Sequence, residues 1–175
     1  MANEIDGLHL IVDGLVESPE SAFTEQNLRN LLLQLVKDLN MQLIFGPVFH
    51  NVEIDESKLT GDVFQDEGGI SGFCMIGTSH ISIHVWPLRK HFSMDVFSCK
   101  QFDSLRAQST IETFLTTKHA SYTSVQRRQG GVVDEIIPIP PGKSVVLTQE
   151  QYAQLLANST PLVLSSTSSE KHLAP

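Results

Sequence analysis

Apolar and polar positions alternate most regularly in the middle of the chain. Over residues 80–86, Ile81, Ile83 and Val85 fall on one side of an extended backbone, and His80, Ser82, His84 and Trp86 on the other. That is the two-residue period of a strand with one buried face. Over 92–99, Phe92, Met94 and Val96 share a side opposite Ser93, Asp95, Phe97 and Cys99. Residues 71–77, 80–86 and 92–99 therefore read as three short strands separated by turn-length gaps. A first strand is expected at 7–13 and a second at 41–50, where Gly46-Pro47 bends the strand or marks an edge. A last strand is expected at 120–128. The period lengthens at Leu28, Leu31, Leu32, Leu35, Val36 and Leu39, behind a helix-start signal at Thr24-Glu25. It lengthens again over about 102–117, with Phe102, Leu105, Ile111, Phe114 and Leu115 on one stripe. Strand, helix, strands, helix, strand is the order of an α+β fold: a two-layer sandwich, mostly antiparallel, with helices on one face of the sheet.

The pattern fades in two places. From Asn51 to Gly69 the chain is acidic and polar, with Asp55, Glu56, Asp62, Asp66 and Glu67, and reads as a long loop of the kind that is functional or mobile. Beyond Gly130-Gly131 the segment Ile136 to Pro141 is extended and Pro-interrupted, and Thr148 with Gln151 resembles a capping box for a short helix to about Ala157. The expected organisation is a domain over 1–130, an extension over 131–157, and a disordered tail rich in Ser and Thr over 158–175.

Composition narrows the class. The chain has 175 residues, with 12 Lys and Arg against 20 Asp and Glu and a formal charge of −8. This acidic balance argues against a nucleic-acid partner, which calls for a basic face. No run approaches the ~20 apolar residues of a membrane span, and the first residues lack a secretory pattern. Two cysteines, Cys74 and Cys99, make no disulfide framework, so a cytoplasmic protein with free thiols is expected.

Candidate chemistry starts with the seven histidines. His80 and His84 share a strand face but stand about 13 Å apart at ~3.3 Å per residue, too far for one metal ion. No Cys-x-x-Cys or His-Glu-x-x-His spacing occurs, so no metal is expected. A Cys–His pair is a more serious idea, because Cys99 ends a strand next in sequence to the one bearing His84. Set against it is the common fate of a free cysteine, a small buried hydrophobe, which suits Cys74 and leaves Cys99 open.

The run Gly77-Thr78-Ser79-His80-Ile81-Ser82-Ile83-His84-Val85-Trp86-Pro87, followed by Met94-Asp95-Val96-Phe97-Ser98-Cys99, resembles the signature of the bacterial and archaeal S-adenosylmethionine decarboxylases. Ile70-Ser71-Gly72 resembles that family's Val-Ser-Gly, and Gly7-Leu8-His9-Leu10 its first strand. The resemblance covers roughly residues 7–128. It implies that Ser79 attacks the Thr78 carbonyl and that the chain is cut between Thr78 and Ser79. Residue 79 would then become a pyruvoyl cofactor that condenses with the substrate amine. It further implies that His84 and Ser71 assist this processing, that Cys99 returns a proton to the substrate, and that two copies pair into a larger sandwich with the sites between them. Two positions depart from the family pattern. Thr78 stands where Glu normally precedes the cut, and Leu88 stands where a Glu accepts the substrate's ribose hydroxyls.

Three functions follow from the resemblance and its departures. The first is S-adenosylmethionine decarboxylation feeding polyamine (spermidine) synthesis. The second is a pyruvoyl-dependent decarboxylase of ornithine or arginine, motivated by Leu88 and the acidic loop. The third is an unprocessed paralogue that binds a ligand or a partner subunit, motivated by Thr78 and Leu88 together.

Overall fold

The computed structural model describes residues 7–58, 67–127 and 133–139. Its strands are β1 (Gly7–Val16), β2 (Leu43–Val52), β3 (Gly69–Ile76), β4 (Ser79–Trp86), β5 (His91–Ser98), β6 (Thr117–Arg127) and β7 (Val133–Ile139), and its helices are α1 (Pro19–Ala22), α2 (Glu25–Asp38) and α3 (Ser104–Leu115). The strands form one sheet in the order β2-β3-β4-β5-β1-β6-β7, and every neighbouring pair is antiparallel.

The alternation read from the sequence decides which face of this sheet is buried. Leu8, Leu10 and Val12 of β1, Ile81, Ile83 and Val85 of β4, and Phe92, Met94 and Val96 of β5 are all buried. They meet a helical layer whose α2 stripe, Leu28, Leu31, Leu32 and Leu35, is wholly removed from solvent. Each such leucine contributes about 2 kcal/mol of apolar transfer. Thr24 caps α2, its hydroxyl accepting the Asn27 N–H at 3.2 Å. Asp103 caps α3 by accepting the N–H groups of Leu105 and Arg106, both at 3.0 Å. Among the described residues the helices therefore cover one face only, as expected of the α+β sandwich.

Several boundaries differ from the sequence reading, each for a local reason. The first strand runs on to Val16 because β6 and β5 continue to pair with it. The second strand is displaced to 43–52, and its register shifts around Gly46-Pro47 on the sheet's edge. The stripe expected over 102–117 holds its helix to 104–115, since Asp103 is spent as the cap and Thr116 turns left-handed (φ 46°). Ala107, Ile111 and Leu115 are its buried apolar positions, while Leu105 and Phe114 pack only at the margin. The helix α1 carries no periodic signal; Pro19 at its start and a Phe23 N–H bond to the Pro19 carbonyl define it. Strand β7 falls in the segment read as an extension beyond residue 130, yet it pairs with β6 from Tyr122 to Arg127. Of the acidic loop, the base is described: Asp55 donates its N–H to the Glu67 carbonyl at 2.9 Å. The helix expected at 148–157 and the tail lie outside the described residues.

Candidate active site

Among the described residues no helix lies on the other face of the sheet. Register places Ser71, His84, Ser93, Asp13 and Ser121 in one cross-strand row, since Ser71 opposes His84, His84 opposes Ser93, Ser93 opposes Asp13, and Asp13 opposes Ser121. Beside this row, Phe45, Phe73 and Met75 are 41–52% exposed, unusual for large apolar side chains on neighbouring strands.

At one end of β4 the chain reverses through Gly77-Thr78, because Ile76 pairs directly with Ser79. Thr78 takes φ +60°. For a β-branched residue the left-handed region costs about 1–3 kcal/mol, and the residue so held is the one before Ser79. Cys99, just past the end of β5, donates its N–H to the Ser79 Oγ at 3.0 Å. Its Sγ lies 2.7 Å from the Thr78 hydroxyl, which also donates to the Gly77 carbonyl at 2.8 Å. The Thr78 hydrogen bond is the main force holding the Cys99 thiol below its ordinary value; desolvation opposes it, and Ser79 and the Lys100 charge assist it. Cys74 behaves oppositely. It is fully buried, and burial pushes its thiol up to about 11.

Ser71 and His84 form a second constellation. The Ser71 Oγ is 2.9 Å from His84 Nδ1, a contact that follows from their opposed positions on β3 and β4. A cavity of about 110 Å³ opens beside them, lined in part by Trp86, Val85 and Gly69. Gly69 takes φ +143°, and a Cβ there would meet the Val85 carbonyl at 2.0 Å, so only glycine lets β3 begin this close to β4. Trp86 is flanked by His84 and His91, at ring separations of 6.2 and 5.3 Å.

The five site residues thus fall into two groups. Thr78, Ser79 and Cys99 are brought together, and so are Ser71 and His84. Within one chain the two groups do not meet. His84 is five residues along an extended strand from Ser79, about 16 Å, and its side chain lies on the face opposite to that of Ile81 and Ile83. Leu88 sits in the turn Pro87–Arg89.

Two polar side-chain pairs near the site had no signal in the sequence. Arg89 Nε lies 2.7 Å from the carboxylate of Glu67, which is fully buried, so the end of the acidic loop is fixed against the turn that carries Leu88. Nothing in the acidic run distinguished Glu67 from its neighbours. On the open face, His9 Nε2 meets Asp95 at 2.8 Å. Phe97 lies against His9, His80 and the Arg127 guanidinium, the last 4.6 Å from the ring centre. Among the described residues no three His, Cys, Asp or Glu side chains are grouped as metal ligands would be, and no helix is long and apolar enough to cross a membrane.

A family model described as S-adenosylmethionine decarboxylase matches residues 8–128. The S-adenosylmethionine decarboxylase proenzyme of Hydrogenobaculum sp. is 25% identical over 130 residues, covering 74% of this chain and 84% of that protein. An arginine decarboxylase proenzyme of Ignicoccus hospitalis is 27% identical over 140 residues, covering 77% of this chain and 89% of the relative. Among solved structures, the adenosylmethionine decarboxylase of Aquifex aeolicus superposes with a TM-score of 0.54 at 26% identity, covering 75% of this chain and 96% of that one.

Proposed function

Because the chain belongs to the S-adenosylmethionine decarboxylase family, whose model spans residues 8–128, we propose that it is a self-processing, pyruvoyl-dependent S-adenosylmethionine decarboxylase acting as a cytoplasmic homodimer. One observation carries the reading: Ser79 follows a left-handed Thr78, and its Oγ is bound by the N–H of Cys99, whose thiol lies against the Thr78 hydroxyl.

These residues fit a cofactor made from the chain itself. Ser79 Oγ attacks the Thr78 carbonyl carbon through a small ring, and the acyl group passes from nitrogen to oxygen. Elimination then frees Thr78 as a carboxylate, and a water molecule hydrolyses the remaining enamine, releasing ammonia and leaving a ketone at residue 79. That ketone supplies the electron sink for decarboxylation. The chain's own groups do the rest. The left-handed Thr78 raises the energy of the peptide before it is cut. The Cys99 N–H holds the Ser79 oxygen, and the Cys99 thiol keeps a transferable proton beside the new ketone. Ser71 and His84, bonded to each other, form a proton-transfer pair.

The separation of the two groups supports the homodimer reading. A second copy placed on the open sheet face by a two-fold axis would cover Phe45, Phe73 and Met75 and set one chain's Ser79 and Cys99 against the partner subunit's Ser71 and His84. Unpaired Cys74 and Cys99 support a reducing, cytoplasmic setting.

A second reading, decarboxylation of arginine or ornithine, is favoured by Leu88 and by the arginine decarboxylase relative. Leu88 accepts no hydrogen bond, so a site that depended on it for hydroxyl recognition loses discrimination. Intact mass of the purified protein tests the common mechanism. Pieces of residues 1–78 and 79–175 are expected, and Ser79→Ala should leave one chain. A wild-type chain that stays whole after prolonged incubation rejects the pyruvoyl mechanism. Carbon dioxide release from a substrate panel then separates the readings: turnover of S-adenosylmethionine no better than arginine or ornithine removes the first.

A further inference from the structure

The proton count at the β3–β4 turn is unusual. A hydroxyl carries one proton and two lone pairs. The Thr78 hydroxyl donates its proton to the Gly77 carbonyl at 2.8 Å and also lies 2.7 Å from Cys99 Sγ. Either atom can be the donor of that second contact; while the hydroxyl proton points to Gly77 only the thiol's own S–H can bridge it, donated to Thr78 Oγ1. Once the sulfur has given its proton away, no hydrogen lies between the two atoms. Rotating the hydroxyl about its C–O bond then turns the Thr78 proton from Gly77 to the sulfur.

We propose that Thr78 is a positioning residue for the Cys99 thiol, its hydroxyl accepting the S–H before proton transfer and donating to the thiolate afterwards. In the family pattern this position is Glu, whose side chain adds a second carboxylate to the one that scission leaves on this residue. A hydroxyl serves both states of the sulfur. Lys100 is the charged group that acts on Cys99, while Gly77, Thr78 and Ser79 of the facing turn carry no charge before scission. The Gly77 N–H donates to the Gln42 carbonyl at 2.9 Å, a bond that does not depend on the Thr78–Ser79 peptide.

This role rests on Cys99 being the proton donor of the proposed reaction, and the test separates the two claims. In a Ser79→Ala background the chain stays whole, Thr78→Val removes the hydroxyl while keeping the β-branched shape, and Thr78→Ser restores it. Iodoacetamide alkylation followed by intact mass against pH reports the Cys99 thiolate, because Cys74 is fully buried with its thiol near 11. The Val variant should move the alkylation midpoint up by about one pH unit, and the Ser variant should titrate as the parent. With Ser79 present, Thr78→Val should lower kcat about tenfold at unchanged KM, again with rescue by Ser. If the Val variant fails to fold, Thr78→Gly replaces it, since glycine adopts φ +60° without strain. An unshifted midpoint in the hydroxyl-free variant overturns the proposal, as does an equal shift in the Ser variant. A shifted midpoint in a protein whose wild type neither cleaves nor decarboxylates keeps the hold on the thiol and rejects only the enzymatic reading.

Discussion

Mixing a Ser79→Ala chain with a His84→Ala chain asks whether the two groups of site residues work within one chain or across two. Along β4 they stand about 16 Å apart at ~3.3 Å per residue, whereas proton transfer needs a separation of about 3 Å. No rotamer of His84 closes that gap while Ser71 and His84 stay opposed on β3 and β4. In a two-fold dimer of the mixed chains, one site would combine Ser79 and Cys99 of the His84→Ala chain with Ser71 and His84 of the Ser79→Ala chain, and every member of that site is native. The second site carries both defects. Random pairing makes about half of the dimers mixed, so about half of the His84→Ala chains should be cut. Each variant is purified alone and after co-refolding, and the 1–78 and 79–175 pieces are counted by intact mass. A Ser79→Ala with Cys99→Ala mixture serves as the control. Those two residues belong to the same group, so mixing should restore no decarboxylation. Cleavage in the first mixture no greater than in the separate proteins would refute the reasoning and place the site within one chain.

Two further outcomes concern the frame that holds the site. Asp103→Ala deprives the Leu105 and Arg106 N–H groups of their acceptor and should lower stability by about 1 kcal/mol, read as a fall in Tm of about 2–4 °C in thermal unfolding. Asp38 joins α2 to α3 by accepting from Thr110 and Gln34, each at 2.8 Å, and by facing Arg106. Desolvation raises its carboxyl, but those partners outweigh it and hold it below the ordinary 3.8. A carboxyl whose folded value is depressed stabilises the fold fully above its unfolded value, and that stabilisation fades as pH falls through the folded one. The stability gap between wild type and Asp38→Asn should therefore be constant from pH 5 to 7 (a range of about two units) and shrink below pH ~4. Urea unfolding across that series measures it, and a gap that widens in acid contradicts the assignment.

Much of the architecture was legible because a half-buried element writes its period into the chain. The alternation in 80–86 marked Ile81, Ile83 and Val85 as core, and they are buried. The stripe from Leu28 to Val36 behind Thr24 marked α2 and its cap, and both are present. Elements without a period were not legible. Helix α1 is a single turn, and β7 was legible only as an extended, Pro-interrupted segment at 136–141 that becomes a sheet strand by pairing with β6.

For the site, the sequence alone singled out the residues proposed to carry the chemistry, because Ser71, Thr78, Ser79, His84 and Cys99 sit in a run whose residue types and spacing resemble one family. Spacing along the chain does not state distance in space. Strand geometry alone puts Ser79 and His84 about 16 Å apart, and antiparallel register alone sets Ser71 against His84. The return of β5 alongside β4 then brings Cys99, twenty positions downstream of Ser79, to within 3.0 Å of its hydroxyl. The Glu67–Arg89 and His9–Asp95 pairs belong to the same class. Each joins residues far apart in sequence whose types are commonplace, so only packing singles them out. The division has one physical cause: burial imposes a local, periodic pattern on a sequence, whereas a polar contact between distant strands needs only two suitable side chains and the register that makes them meet.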